Sequence, residues 1–302
     1  NAALLRHLAA LLAEYAAAED YFNRAPNYSA EAIGGLLEIA GWTPHESVKG
    51  KALLMAGLLE SAHKFVLPDY GMIFGGHVTE DMIREARLPY PVIVLEYTSP
   101  PKTEPGPGKV LATKRVVLCW EASMNDTPGF WLAPIAYSPS DERWIPLAFW
   151  LFLPYSRDMM GASCAIEAFG TPGMRLIEQH GEATVIQKAL ENSAQEVEAV
   201  VELSAALACT NVTTEVLSPN RVARAAKPAS MLFDYHVLMI RPGAEHATSE
   251  DKGGTHASPR THLRRGHIRR LAWGPRVWVN SCVVNPSATG TVNKDYAVRR
   301  KP

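Results

Sequence analysis

The chain of 302 residues carries 30 Lys and Arg against 31 Asp and Glu, and 47% of it is hydrophobic, which excludes a disordered, collagen-like or supercharged protein. Its longest apolar run, Ile145 to Pro154, is about half of the ~20 residues that a membrane-spanning helix requires, so no membrane span is expected. Cys119, Cys164, Cys209 and Cys282 stand far apart, without C-x-x-C or Cys/His spacing, and read as buried thiols; no metal and no cofactor are expected from them.

Taken in chain order, Leu4, Leu8, Leu11, Leu12 and Tyr15 recur at helical spacing among alanines and predict an amphipathic helix over residues 3–22. This opening lacks the basic-then-apolar order of a signal peptide and carries Glu14, Glu19 and Asp20, so a cytoplasmic protein is expected. Residues 30–40 and 46–65 continue the helical pattern, punctuated by Pro26, the Gly41-Trp42-Thr43-Pro44 break and Pro68. Thr79 is suited to cap a short helix over EDMIREAR.

From Pro91 the period changes. PVIVLEYTSP, KVLATKRVVLCWEAS, FWLAPIAYSP and WIPLAFWLFLP are aromatic or β-branched runs between turn clusters and predict strands. The GPGK of the loop at 100–109 lacks the spacing of a P-loop. A long helix is expected over 182–208, with acids crowded toward its start where the helix dipole favours them, and FDYHVLMIRP reads as a further strand. Residues 243–259 are polar and Gly-rich with no apolar period, which predicts a mobile linker. The expected fold is α+β: an acidic body over 1–242 (helical over 1–88, a mostly antiparallel sheet over 89–155, then the long helix), the linker, and a small basic β-meander over 260–302.

The charge is strongly segregated. Residues 260–302 hold eight Arg and two Lys against the single acid Asp295, a net +9, which leaves twenty bases and thirty acids, a net −10, for residues 1–259. Such a tail points to a polyanionic partner, and its arginine excess suits bidentate phosphate contacts and base stacking. Arg260, Arg264, Arg265, Arg269, Arg270 and Arg276, helped by Arg221, Arg224 and Lys227, are the candidate nucleic-acid contacts. The competing expectation is that these arginines pair with the acid-rich body. Alternation along Arg276 to Val284 sets Val277 and Val279 on one face and Trp278 on the other, where Trp278 is either a core residue or a stacking platform.

A metal-independent nuclease is another reading, with His262 or His267 as general acid-base and Tyr296 or Lys294 assisting. The five-residue spacing of the two histidines places them on opposite faces of a strand and about 140° apart around a helix, which argues against a shared site unless the chain bends at Arg265-Gly266. Glu96 and Glu121 sit alone in strands, without the clustered carboxylates or E-x-K partner of a metal-dependent nuclease. The third reading is an interaction or regulatory protein whose central aromatics, Trp131, Tyr137, Trp144 and Trp150, meet a host or virion protein.

The order P-R-x-H-L-R-R-G-H-I-R-R-L, then R-V-W-V and K-D-Y-x-V, resembles the carboxy-terminal module of uncharacterised bacteriophage and prophage proteins. The likeness reaches back through CTNVTTEV (209–216), RVARAAK (221–227) and FDYHVLMI (233–240). It implies a viral or mobile-element origin and a bacterial host cytoplasm, with no attached activity. Val284-Asn285-Pro286 departs from the glycine that the family pattern has after its second strand.

Overall fold

The computed structural model describes residues 27–74, 78–99, 114–139, 141–155, 164–217, 233–240, 262–264, 267–270, 274–279 and 282–284, the backbone alone for 217, 240, 262–264, 267 and 282–284. The helix expected over 3–22, the linker over 243–259 and the third strand of the meander lie outside the described residues. The chain divides into two compact units: one of residues up to Ala206 with Thr214–Leu238, the other of Leu207–Thr213 with residues from Met239 onward.

The first unit is α+β. Helices α1 (Tyr28–Trp42) and α2 (Glu46–Ser61) precede strand β1 (His63–Val66), the short helix α3 (Glu80–Glu85) and strand β2 (Val92–Thr98). Strands β3 (Lys114–Met124), β4 (Thr127–Ser138), β5 (Arg143–Pro146), β6 (Phe149–Pro154) and β7 (Ala165–Ala168) follow. Then come α4 (Thr171–His180), α5 (Glu182–Asn192), α6 (Ala194–Leu207), β8 (Val212–Leu217) and β9 (Tyr235–Ile240). The sheet runs β7-β6-β4-β3-β2-β1-β9-β8, with β5 beside β4. β1 lies parallel to both β2 and β9, and the β2 to β7 side is antiparallel, so the expected mostly antiparallel sheet extends beyond 89–155.

Local sequence explains most of these elements. Asn125 and Asp126, with φ of 49° and 63°, form the two-residue turn that joins β3 to β4, a conformation whose twist matches that of a hairpin. Thr79 caps α3 as expected, its side chain accepting a hydrogen bond from the Met82 N–H. One expectation is corrected: the helix of 46–65 ends at Ser61, and His63–Val66 is a strand. Ala62 leaves the helix with ψ of 152°, and the HKFV run completes the backbone ladders of β2 and β9, a tertiary pairing that outweighs helical periodicity. The helix of 182–208 is divided at Ser193, whose φ of −104° and ψ of 14° separate α5 from α6.

Successive residues of β2 face opposite layers. Ala32, Ile33, Leu36 and Ala40 of α1 and Ala52, Met55, Ala56 and Leu59 of α2 pack with Val94, Val116, Leu118, Ala133 and Ile135 in one apolar core. Glu96 points to this layer: its carboxylate accepts from the Tyr28 N–H at 2.9 Å, the Ser29 N–H at 3.0 Å and the Ser29 hydroxyl at 2.5 Å. Asn27, at the N-cap with φ of 50°, contributes no side-chain cap, so Glu96 satisfies the helix start from the sheet. On the other layer Tyr97 faces α6, and Arg115, its partner across β2 and β3, lies 3.5 Å from Glu196 of α6. Tyr97 Oη, Arg115 Nε and Glu196 Oε2 are buried there without a hydrogen-bond partner.

Burial pushes the Glu96 carboxyl above the ordinary carboxylate range, against the pull of the Ser29, Tyr28 and Tyr235 hydrogen bonds. A carboxyl whose pKa is raised on folding binds more protons in the folded than in the unfolded chain, so its contribution to stability falls as pH rises from the ordinary carboxylate range through the raised value. Glu96→Ala leaves two helix N–H groups and a hydroxyl unsatisfied and is expected to lower unfolding stability by about 2 kcal/mol or more in urea titrations. A loss below about 0.5 kcal/mol would show that the start of α1 is held by other means.

Candidate nucleic-acid interface

The described strands of the second unit form two antiparallel pairs. Strand β10 (His262–Arg264) pairs antiparallel with β13 (Cys282–Val284), and β11 (His267–Arg270) pairs antiparallel with β12 (Arg276–Val279). The two ladders keep one register: from the Arg264–Cys282 pair to the His267–Val279 pair, each strand advances three residues. Residues 262–264 and 267–270 of the basic run are thus paired with residues 282–284 and 276–279 of the β-prone run. Gly274, with φ of 103°, lies two residues before β12.

Cross-strand partners in an antiparallel ladder share a face, as do alternate residues of one strand. Ile268 lies opposite Trp278, and Arg270 lies opposite Arg276, so these four occupy one face. Arg269, opposite Val277, belongs to the other. Arg269 and Arg270 are exposed, and Arg276 and Trp278 are half-buried. An anion placed against this face can meet both guanidinium groups at once.

β12 is locked along its outer edge by the segment that follows α6. The Asn211 side chain accepts from the Trp278 N–H at 2.7 Å and donates to the Trp278 carbonyl at 2.8 Å, taking the place of a strand backbone. The Thr210 N–H and hydroxyl donate to the Arg276 carbonyl at 2.9 and 3.2 Å, and Cys209 bridges Arg276 in parallel. The backbone of Arg276 and Trp278 is thereby fixed, which sets where their side chains start.

Of the residues singled out in the sequence, Arg264, Arg269, Arg270 and Arg276 fall in this hairpin. Arg260, Arg265, Arg221, Arg224, Lys227, Lys294 and Tyr296 lie outside the described residues. His262 and His267 belong to different strands and pair with Val284 and Val279 respectively. Glu96 caps α1, and Glu121 accepts a hydrogen bond from the Tyr155 hydroxyl at 3.0 Å. Cys119, Cys164 and Cys209 are buried thiols outside any disulfide, and burial pushes the Cys209 thiol up to about 11.

Sequence spacing gave no sign of a second cluster, in the first unit. His63 Nδ1 lies 3.3 Å from His236 Nε2, 173 residues further along the chain. Tyr90 stacks on the His63 ring with centroids 3.7 Å apart and planes 14° from parallel, and Phe65 stacks on His236 at 5.1 Å. Burial, with the neighbouring His63, holds the His236 pKa below the usual imidazole range, while Asp234 pulls it upward. The only signal in the sequence was the placement of each histidine in or beside a β-prone run. The chain matches no protein-family model, no curated protein and no solved structure.

Replacing Asn211 by Leu removes both hydrogen bonds that hold Trp278 to the 209–211 segment. The expected result is loss of roughly 2 kcal/mol of local stability, from two hydrogen bonds at about 1 kcal/mol each, seen as faster amide exchange at Trp278. Unchanged exchange there would show that Asn211 does not hold the ribbon.

Proposed function

We propose that the chain is an accessory protein, of phage or mobile-element type, that binds nucleic acid through the basic ribbon of its second unit. The observation that carries this reading is the Arg270–Arg276 cross-strand pair, on the same ribbon face as Trp278. The two guanidinium groups suit successive phosphates of one backbone, and the indole beside them suits a base or sugar. Arg269, on the other face, suits a second strand or the next turn of the same one. The net +9 of residues 260–302 supplies the long-range attraction that brings a polyanion to the ribbon. The resemblance of H-L-R-R-G-H-I-R-R-L to phage and prophage proteins supports the setting, a bacterial cytoplasm, and leaves the choice of RNA or DNA open.

Binding of this kind releases counterions, so log affinity falls against log salt by about 0.7 to 0.9 per phosphate neutralised. The triple variant Arg269→Gln, Arg270→Gln, Arg276→Gln is expected to weaken binding to single- and double-stranded oligonucleotides and to flatten that slope by about 2 to 3. If these arginines instead serve the acid-rich body, the same variant loses folding stability while the parent protein binds no oligonucleotide, and the proposal fails.

A further inference from the structure

We infer that His63 and His236 form a two-imidazole seat for a divalent transition cation of the zinc and copper class. This goes beyond the nucleic-acid reading and rests on a different unit of the chain. His63 opens β1, and His236 is the second residue of β9, the parallel neighbour of β1. The register sets Phe65 opposite His236, so His63, two residues before Phe65, shares a sheet face with His236 as its diagonal neighbour. The strands bring the two rings together, and their facing nitrogens are 3.3 Å apart. Two nitrogens that each sit about 2.0 to 2.1 Å from one tetrahedral zinc ion are separated by about 3.3 to 3.4 Å, so the pair already spans one edge of that coordination shell.

The rings are also held as ligands must be. Tyr90 lies against His63, and its ring centroid is 5.7 Å from that of His236, while Phe65 covers His236. These aromatic walls restrict rotation of both imidazoles and lower the entropy lost on binding. His236 Nδ1 is buried without a hydrogen-bond partner, which leaves Nε2, the atom facing His63, to act as ligand. His63 is exposed, giving a cation access from solvent.

Imidazole nitrogens select Zn2+, Cu2+ or Ni2+ over Mg2+ and Ca2+, which prefer oxygen. Among the described residues no third His, Cys, Asp or Glu completes the set. Two imidazoles alone would hold a cation more weakly than a closed four-ligand structural site.

The test uses the full chain stripped of metal, with Cu2+ and Zn2+ as separate probes and Mg2+ as control. One equivalent of Cu2+ is expected to give an electron paramagnetic resonance signal with hyperfine splitting from two nitrogens. Zn2+ is expected to raise the melting temperature, and Mg2+ to leave it unchanged. His63→Asn, at an exposed ring, should preserve the circular dichroism spectrum, remove the two-nitrogen signature and weaken Zn2+ binding by at least about tenfold, the loss that even an outer-shell change causes. His236→Asn should do the same where it folds, and His63→Asn decides the matter where it does not. The inference is overturned if the parent binds neither cation, or if His63→Asn binds both as the parent does, since the metal would then sit at another of the ten histidines. Either outcome leaves oligonucleotide binding by the ribbon unaffected, so the two proposals fail separately.

Discussion

A single buried carboxylate joins the two main layers of the first unit. Glu96 has no exposed surface, yet it lies in β2, between the parallel β1 and the antiparallel β3, and accepts three hydrogen bonds from the first two residues of α1. Burying an ionisable group is costly, and the compensation here comes from helix N–H groups that would otherwise lack partners. Because those bonds are directional, they fix where α1 begins relative to β2, and α2 follows after the three residues of the connection. Tyr235 of β9 donates to Asn27 at 3.1 Å, so the helix start is tied to a second strand as well. On the opposite layer Arg115 and Glu196 join β3 to α6 with weaker satisfaction, since three nearby polar atoms lack partners. The two layers are held by different means: one by a saturated helix cap, the other by an ion pair embedded among apolar contacts.

The second unit follows a different logic. Among its described residues the order comes from backbone pairing: two antiparallel ladders, with Asn211 standing in for a neighbouring strand along β12. Shape held by main-chain bonds leaves the side chains of the ribbon free to be chosen for charge. The Arg270–Arg276 pair places two guanidinium groups side by side on one face, an arrangement suited to bidentate contacts with an anion.

Much of this architecture was legible in the sequence. The change of period at Pro91, the capping Thr79 and the turn-separated aromatic runs each reflect local chemistry, and each appears as expected in the fold. The β1 strand was not legible, because HKFV is short, continues a helical apolar pattern and becomes a strand only when β2 and β9 flank it. The division of the long helix at Ser193 was equally obscure, since Asn192 and Ser193 are weak helix formers but not breakers. For the candidate sites the contrast is sharper. The basic ribbon announced itself through charge density and β-propensity within one stretch of chain, although its register depends on which strands pair. His63 and His236 could not be linked, because their meeting depends on strand order in the sheet and no spacing rule reaches across 173 residues.

The central claim, that the ribbon is where a polyanion binds, is tested most directly by amide hydrogen exchange of the full chain with and without a short oligonucleotide. The account predicts added protection concentrated at β11, β12 and the turn between them, with the strands of the first unit unchanged. Protection confined to the first unit, or none at saturating oligonucleotide, would contradict it.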